Sequence, residues 1–236
     1  PGELVEFARA HSSAANKAAA KRAIEALIKK APQDAADIAL FGRMVAADFT
    51  AKLEGAAMFS HALSTHKVDN EIDFFAAVDD NQPEDQAGAG MTSTLEFNSA
   101  TYYRFAALNL DMLADKDHLQ ALNSNERKEI VRALIEATLQ AVPGARKNSM
   151  NAATVPGYVL GVVRNSGHPV QLVNAFEKPV RAYGGKGLFE TSLEAMKTER
   201  EKLNFTWGLD KKELFSGVIP DMNLADFLDK VCAHVE

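Results

Sequence analysis

Four histidines, His61, His66, His118 and His168, are the side chains best suited to proton transfer near neutral pH. None of them sits in a recognisable constellation with a nucleophile or a second acid–base group. His61, His66, Glu71 and Asp73 carry metal-ligating atoms, but their spacing matches no ligand pattern, and strand partners would have to bring them together. No G-x-S-x-G, P-loop or H-E-x-x-H run occurs. Gly184-Gly185-Lys186-Gly187 lacks the preceding apolar strand of a phosphate loop and reads as a turn. Cys232 is the single cysteine, which excludes an internal disulfide and a Cys-rich zinc site and fits a reducing cytoplasm. The expectation is a protein that is not an enzyme and uses neither cofactor nor metal.

Residues that could hold phosphate without chemistry are better represented. Arg146, Lys147, Asn148 and Ser149 form a polar stretch after a helix end, suited to phosphate oxygens. Lys178 and Arg181 flank Pro179, and Lys17, Lys21 and Arg22 sit at helical spacing. The net charge of −6 runs against a nucleic-acid binder, but the charge is segregated. Residues 1–30 carry six Lys/Arg against three Glu, and residues 142–186 carry six against Glu177 alone. Residues 69–96 hold eight acids and no Lys or Arg. A solvated surface with clustered charge accounts for these counts equally well. No apolar run is long enough for a membrane span.

The elements that must position these residues follow from periodicity. Leu4, Phe7 and Ala8, then Ile24, Leu27 and Ile28, make short helical faces, the second ended by Pro32. Asp34 reads as the cap of a helix with Ile38, Phe41, Met44 and Val45 on one side, which makes Met44 a core residue. Residues 57–63 are short and β-compatible. Residues 72–97 read as a hairpin with a long polar tip, its arms reaching roughly 20–27 Å. Alternation from Thr92 to Leu110 puts Leu95, Phe97, Tyr103 and Phe105 on one face of a single strand. Asn125 is expected to cap a helix with Ile130, Leu134, Ala137 and Ala141 as its stripe, ended by Pro143-Gly144. Val155 to Val163, apolar on both faces, reads as a central strand, and Trp207 as the anchor of a mixed tail. This order is most of a ferredoxin-like β-α-β-β-α-β sheet, an α+β fold short of one strand and one helix at its front. The opening Pro1-Gly2-Glu3, without Met or leader, reads as that of an internal fragment.

Several runs carry a resemblance. They are Ala39-Leu40-Phe41-Gly42-Arg43-Met44; Ile72 to Asp80; Thr94-Leu95-Glu96-Phe97-Asn98-Ser99 followed by Tyr102-Tyr103-Arg104; Val142-Pro143-Gly144-Ala145; and Asn174-Ala175-Phe176-Glu177-Lys178. In order and spacing, from about Asp34 to Val180, the chain resembles the CasC-type backbone subunit of type I-E CRISPR Cascade. The resemblance implies an RNA-recognition-motif-like (RRM-like) palm, incomplete at its front, with helical fingers and a β-hairpin thumb. On that pattern residues 1–55 are part of the fingers, 56–71 and 98–190 the palm, 72–97 the thumb and 191–236 a carboxy-terminal palm extension. The family's longer amino-terminal region has no counterpart here, so the chain reads as the carboxy-terminal two-thirds of such a subunit.

The function implied is a non-catalytic protein that stacks in copies along CRISPR guide RNA, kinks it at intervals, and leaves the intervening bases free to pair with target DNA. Met44, and Phe75 with Met91 or Thr92, match the kinking positions; apolar wedges of this kind unstack bases. Arg146, Lys147, Lys178 and Arg181 match positions near the RNA, and Lys17, Lys21 and Arg22 match finger cations that contact target DNA. The implied partners are guide RNA, target DNA through the guide, other copies of the chain and other Cascade subunits, in the cytoplasm and away from membranes. Two other classes stay open: an RNA-processing endonuclease on a ferredoxin-like fold, which needs one of the four histidines at a scissile phosphate, and a protein scaffold whose basic regions bind acidic partners.

Overall fold

The computed structural model describes residues 35–44, 52–78, 89–145 and 147–236. The expectations for residues 1–34, with Lys17, Lys21, Arg22 and the Asp34 cap, lie outside the described residues, as do the hairpin tip (79–88) and Arg146. The architecture is α+β, helices with small antiparallel sheets, consistent with a ferredoxin-like fold. The described strands pair two by two: β1 (Ala57–Phe59) with β6 (Ala106–Leu108), β2 (Leu63–Ser64) with β5 (Tyr102–Tyr103), β3 (Glu71–Val78) with β4 (Ala89–Phe97), and β7 (Val159–Arg164) with β8 (Glu213–Ile219). The helices are α1 (Ala36–Phe41), α2 (Leu110–Leu113), α3 (Ser124–Gln140), α4 (Lys147–Met150), α5 (Leu188–Trp207) and α6 (Leu224–Cys232).

The chain divides into two units. The first takes residues 1–59, 106–167 and 212–236. Its core is apolar: Ala39, Leu40, Ala56, Leu113, Leu119, Val131, Cys232 and Val235 are buried together, with Ile130, Leu134 and Ile135 packed against them. Asn123, not Asn125, caps α3. Its Oδ1 accepts from the amides of Asn125 and Glu126 at 2.9 and 3.1 Å, and Glu126 Oε2 accepts the Asn123 amide at 2.8 Å. Only Asn123 has a Glu three residues on, so the reciprocal capping box chooses between two asparagines. The buried stripe is centred on Val131 rather than on Ile130 and Leu134. Strand β7 has β8 as its one described partner, so it is not central among these strands. Phe227 of α6 packs where a Cβ on Gly161 of β7 would stand, 2.3 Å from the ring; the missing side chain is what lets helix and strand close.

The second unit takes residues 60–105 and 168–211. Among its described residues the buried side chains are polar: Thr65, Thr191, Ser192 and Glu199. The long β-strand expected over Thr92–Leu110 is broken. Alternation holds, but β4, β5 and β6 have three different partners, and residues 98–101 leave the ladder between the first two. Alternation reports faces, not partners. Trp207 is exposed at the end of α5 and is not the buried anchor expected of the tail. Gly208 at φ 60° then ends the helix in the left-handed region. Gly184 and Gly185, φ 58° and 79°, form the expected turn between Tyr183 and Lys186. No helix among the described residues is long and apolar enough to cross a membrane.

Candidate nucleic-acid interface

Hairpin β3–β4 is built as the alternation predicts, with arms of 8 and 9 residues spanning about 26 Å. Its register pairs Phe75 with Ser93, Ala77 with Met91, and Phe74 with Thr94. Directly opposed residues share a face, so Met91 lies on the face of Phe75, while Thr92, opposite Ala76, lies on the face of Phe74 and Ile72. Met91 and Thr92 are therefore not interchangeable partners for Phe75. Phe74 is 79% exposed and Phe75 40%, so neither ring is a core residue. Glu71 and Asp73 share the Phe75 face at the base of the hairpin. The charge on this face is therefore negative.

Met44 corrects the periodic reading. Helix α1 stops at Phe41, because Gly42 turns into the left-handed region at φ 78°. Met44 lies beyond it, 88% exposed rather than in a core. Arg43 and Leu53 exchange backbone hydrogen bonds at 2.8 and 3.0 Å. The two segments cross so closely that a Cβ on Gly42 would stand 2.8 Å from the Gly55 nitrogen, and one on Gly55 2.7 Å from the Leu40 oxygen. Both positions require glycine, one for its φ and both for the approach. His118 locks the crossing: its buried ring donates from Nε2 to the Glu54 carbonyl at 2.8 Å.

Lys178 and Arg181 are exposed on a segment pinned at both ends. At one end Tyr103 accepts the Leu172 amide at 2.9 Å and packs on Phe176 with ring centroids 5.5 Å apart. Burial pushes the Tyr103 phenol up from its ordinary pKa. At the other end Val180 donates to the Thr65 carbonyl at 2.9 Å and bridges His66. The Thr65 hydroxyl is tied to α5: Ser192 donates to it at 2.7 Å while also reaching the Leu188 carbonyl at 2.6 Å, one proton shared between two acceptors. Close by in sequence, Glu194 accepts from Lys186 and from the Tyr183 hydroxyl, and these bonds hold its carboxyl below the usual carboxylate range. Lys147 and Asn148 are exposed on the helical turn α4 rather than in a loop.

The histidines are placed for structure. His66 Nε2 accepts the Thr101 amide at 3.1 Å, so Nδ1 carries the proton and donates to the Lys67 carbonyl at 2.7 Å. With His118 on Glu54, two of the four candidates hold backbone; His61 and His168 are exposed. Among the described residues no group of three His, Cys, Asp or Glu side chains could hold a metal ion. The glycine crossing and the exposed Phe74 and Phe41 were missed from sequence. The glycine of Phe41-Gly42-Arg43 was the available signal for the helix end.

These features describe an α+β protein with a two-stranded hairpin and exposed apolar and cationic side chains. A family model for the CT1975-like protein matches residues 2–227, and the chain belongs to that family. Among solved structures it is similar to a chain of a "CRISPR RNA-guided surveillance complex, pre-nicking", at 27% identity and TM-score 0.75 over 100% of this chain and 66% of that one. It is also similar to a chain of a "CRISPR RNA-guided surveillance complex", at 28% identity and TM-score 0.66 over 84% of this chain and 77% of the other. The chain thus spans just under two thirds of the first of these. No curated protein matches.

Proposed function

We propose that the chain is a non-catalytic backbone subunit of a Cascade-type complex, of the CasC kind and type I-E, that assembles in copies along CRISPR guide RNA in the cytoplasm. The observation that carries this reading is its likeness, across 100% of its length and at 27% identity, to a chain of a CRISPR RNA-guided surveillance complex. In this reading residues 1–55 belong to the fingers, 56–71 and 98–190 to the palm, 72–97 to the thumb and 191–236 to the palm extension. Phe75 with Met91 on the thumb, and Met44 in the fingers, wedge the RNA apart at intervals, and the intervening bases pair with target DNA. Exposed Lys147, Lys178 and Arg181 hold phosphates, joined by Arg146; Thr92 supports the hairpin's other face; Lys17, Lys21 and Arg22 meet target DNA.

Physical support comes from what each element leaves outside. Large aromatic side chains are usually covered by the fold, yet Phe74 and Phe75 are both accessible. The test is titration of the full chain with CRISPR repeat-spacer RNA over a series of salt concentrations. The expected result is affinity that falls linearly with log salt, oligomers that grow with RNA length, and RNA recovered uncleaved in metal-free buffer. Cleaved repeat RNA would establish the nuclease instead, and absence of RNA binding would leave the scaffold.

A further inference from the structure

The fold buries Leu40 and Ala56 completely or nearly so, yet leaves their larger neighbours Phe41 and Phe59 outside, 62% and 53% exposed. Phe41 is the last residue of α1 and Phe59 the last of β1. Their rings stack on each other, centroids 6.1 Å apart and planes only 24° from parallel. The glycine crossing that ends α1 lies next to the stack in sequence: Arg43, two residues after Phe41, bridges Leu53, and Lys52 precedes Leu53. Met44 adjoins it through Arg43. Among the described residues of this crossing, the acid Glu54 is exposed.

We propose that the Phe41–Phe59 stack is a nucleobase platform: one unpaired base of bound single-stranded RNA stacks on the open ring face, while Arg43 and Lys52 hold the flanking phosphates. The inference rests on the guide-RNA reading and adds a site to it. A pair of near-parallel rings presents a flat π-face of the size of a base, and such stacking is tolerant of sequence, as a guide-coating protein requires. Arg43 and Lys52 of the adjoining crossing supply positive charge suited to the phosphates of a polyanion. A second copy of the chain is the other occupant such a patch could take; protein interfaces also favour aromatics, but they do not call for near-parallel rings next to a crossing that carries two cations.

The test uses the full chain and synthetic single-stranded RNAs with 2-aminopurine at successive positions, whose fluorescence drops on stacking. Leucine at either ring position keeps apolar bulk and removes the π-face. Phe41→Leu and Phe59→Leu are each melted first, and the more stable of the two carries the readout. The expected result is about ten-fold weaker RNA binding, loss of quenching at the stacked position, an unchanged salt slope, and recovery of both in the Phe→Tyr variant. Wild-type affinity and quenching in the leucine variant would overturn the platform and leave the guide-RNA reading standing. Lost self-association with unchanged RNA affinity per subunit would make the patch a protein interface and overturn it too. A wild-type chain that binds no RNA would end both.

Discussion

The two units of this chain are held together by different physics. In the unit of residues 1–59, 106–167 and 212–236, leucines, valines and a cysteine meet in one buried cluster, and even the Cys232 thiol is pushed up in pKa by burial. Among the described residues of the unit of residues 60–105 and 168–211, the buried side chains are two threonines, a serine and a glutamate, and Phe74 and Phe75 of the hairpin stay outside. A core of the first kind is non-directional and tolerates displacement, whereas hydrogen-bonded hydroxyls fix a few contacts and bury little apolar area. The second unit is therefore fixed by hydrogen bonds, chiefly where Val180, Thr65 and Ser192 meet, while Phe74 and Phe75 remain exposed.

The largest effect that can break this contrast lies in the apolar core. Leu113→Ala removes a side chain that is fully buried, and the expected loss is about 2–5 kcal/mol, read as a lower melting temperature. A loss under about 1 kcal/mol would mean that the core cluster is not what holds the first unit.

Ser192→Ala comes next. It leaves the Thr65 hydroxyl with its 3.3 Å bond to the Thr101 carbonyl but without its α5 partner, and loss of that hydrogen bond costs about 0.5–1.5 kcal/mol. The contrast predicts that the loss is local: amide exchange rises at Val180 and Thr101, while amides of α3 keep their protection. Uniform acceleration over the whole chain would mean that the two units do not differ as described.

The smallest stability change is expected in the hairpin. Phe75→Ala removes a ring that is already partly in solvent, at a cost of at most about 1 kcal/mol in melting. A loss of several kcal/mol would place the ring in a core and deny it to a ligand.

The contrast also sorts what was legible in the sequence. Hairpin 72–97 was read from alternation and turn residues, and its arms fall where those signals put them. Helix α3 was read from its period and missed at its start by two residues, because two asparagines offer a cap and the Glu at N3 decides. Met44 was placed in a helix face because the 3.6 period runs on past Gly42; a backbone at φ 78° ends the helix whatever the period says. Trp207 shows the converse limit. Residue type gives a preference for burial, but not a partner to be buried against. The strand after Thr92 failed the same way, keeping its faces while pairing with three different partners. The hydroxyl pair Thr65–Ser192, 127 residues apart, had no signal in the sequence at all.

The measurement that tests the central reading most directly compares Phe75→Ala with Lys178→Ala in the full chain bound to guide RNA across a range of salt. Phe75 carries no charge, so its loss should weaken binding by about 1–3 kcal/mol and leave the salt slope unchanged. Lys178→Ala should instead lower the slope by roughly one contact. The contradicting result is a stably folded Phe75→Ala protein that binds guide RNA with wild-type affinity and wild-type spacing of the displaced nucleotides.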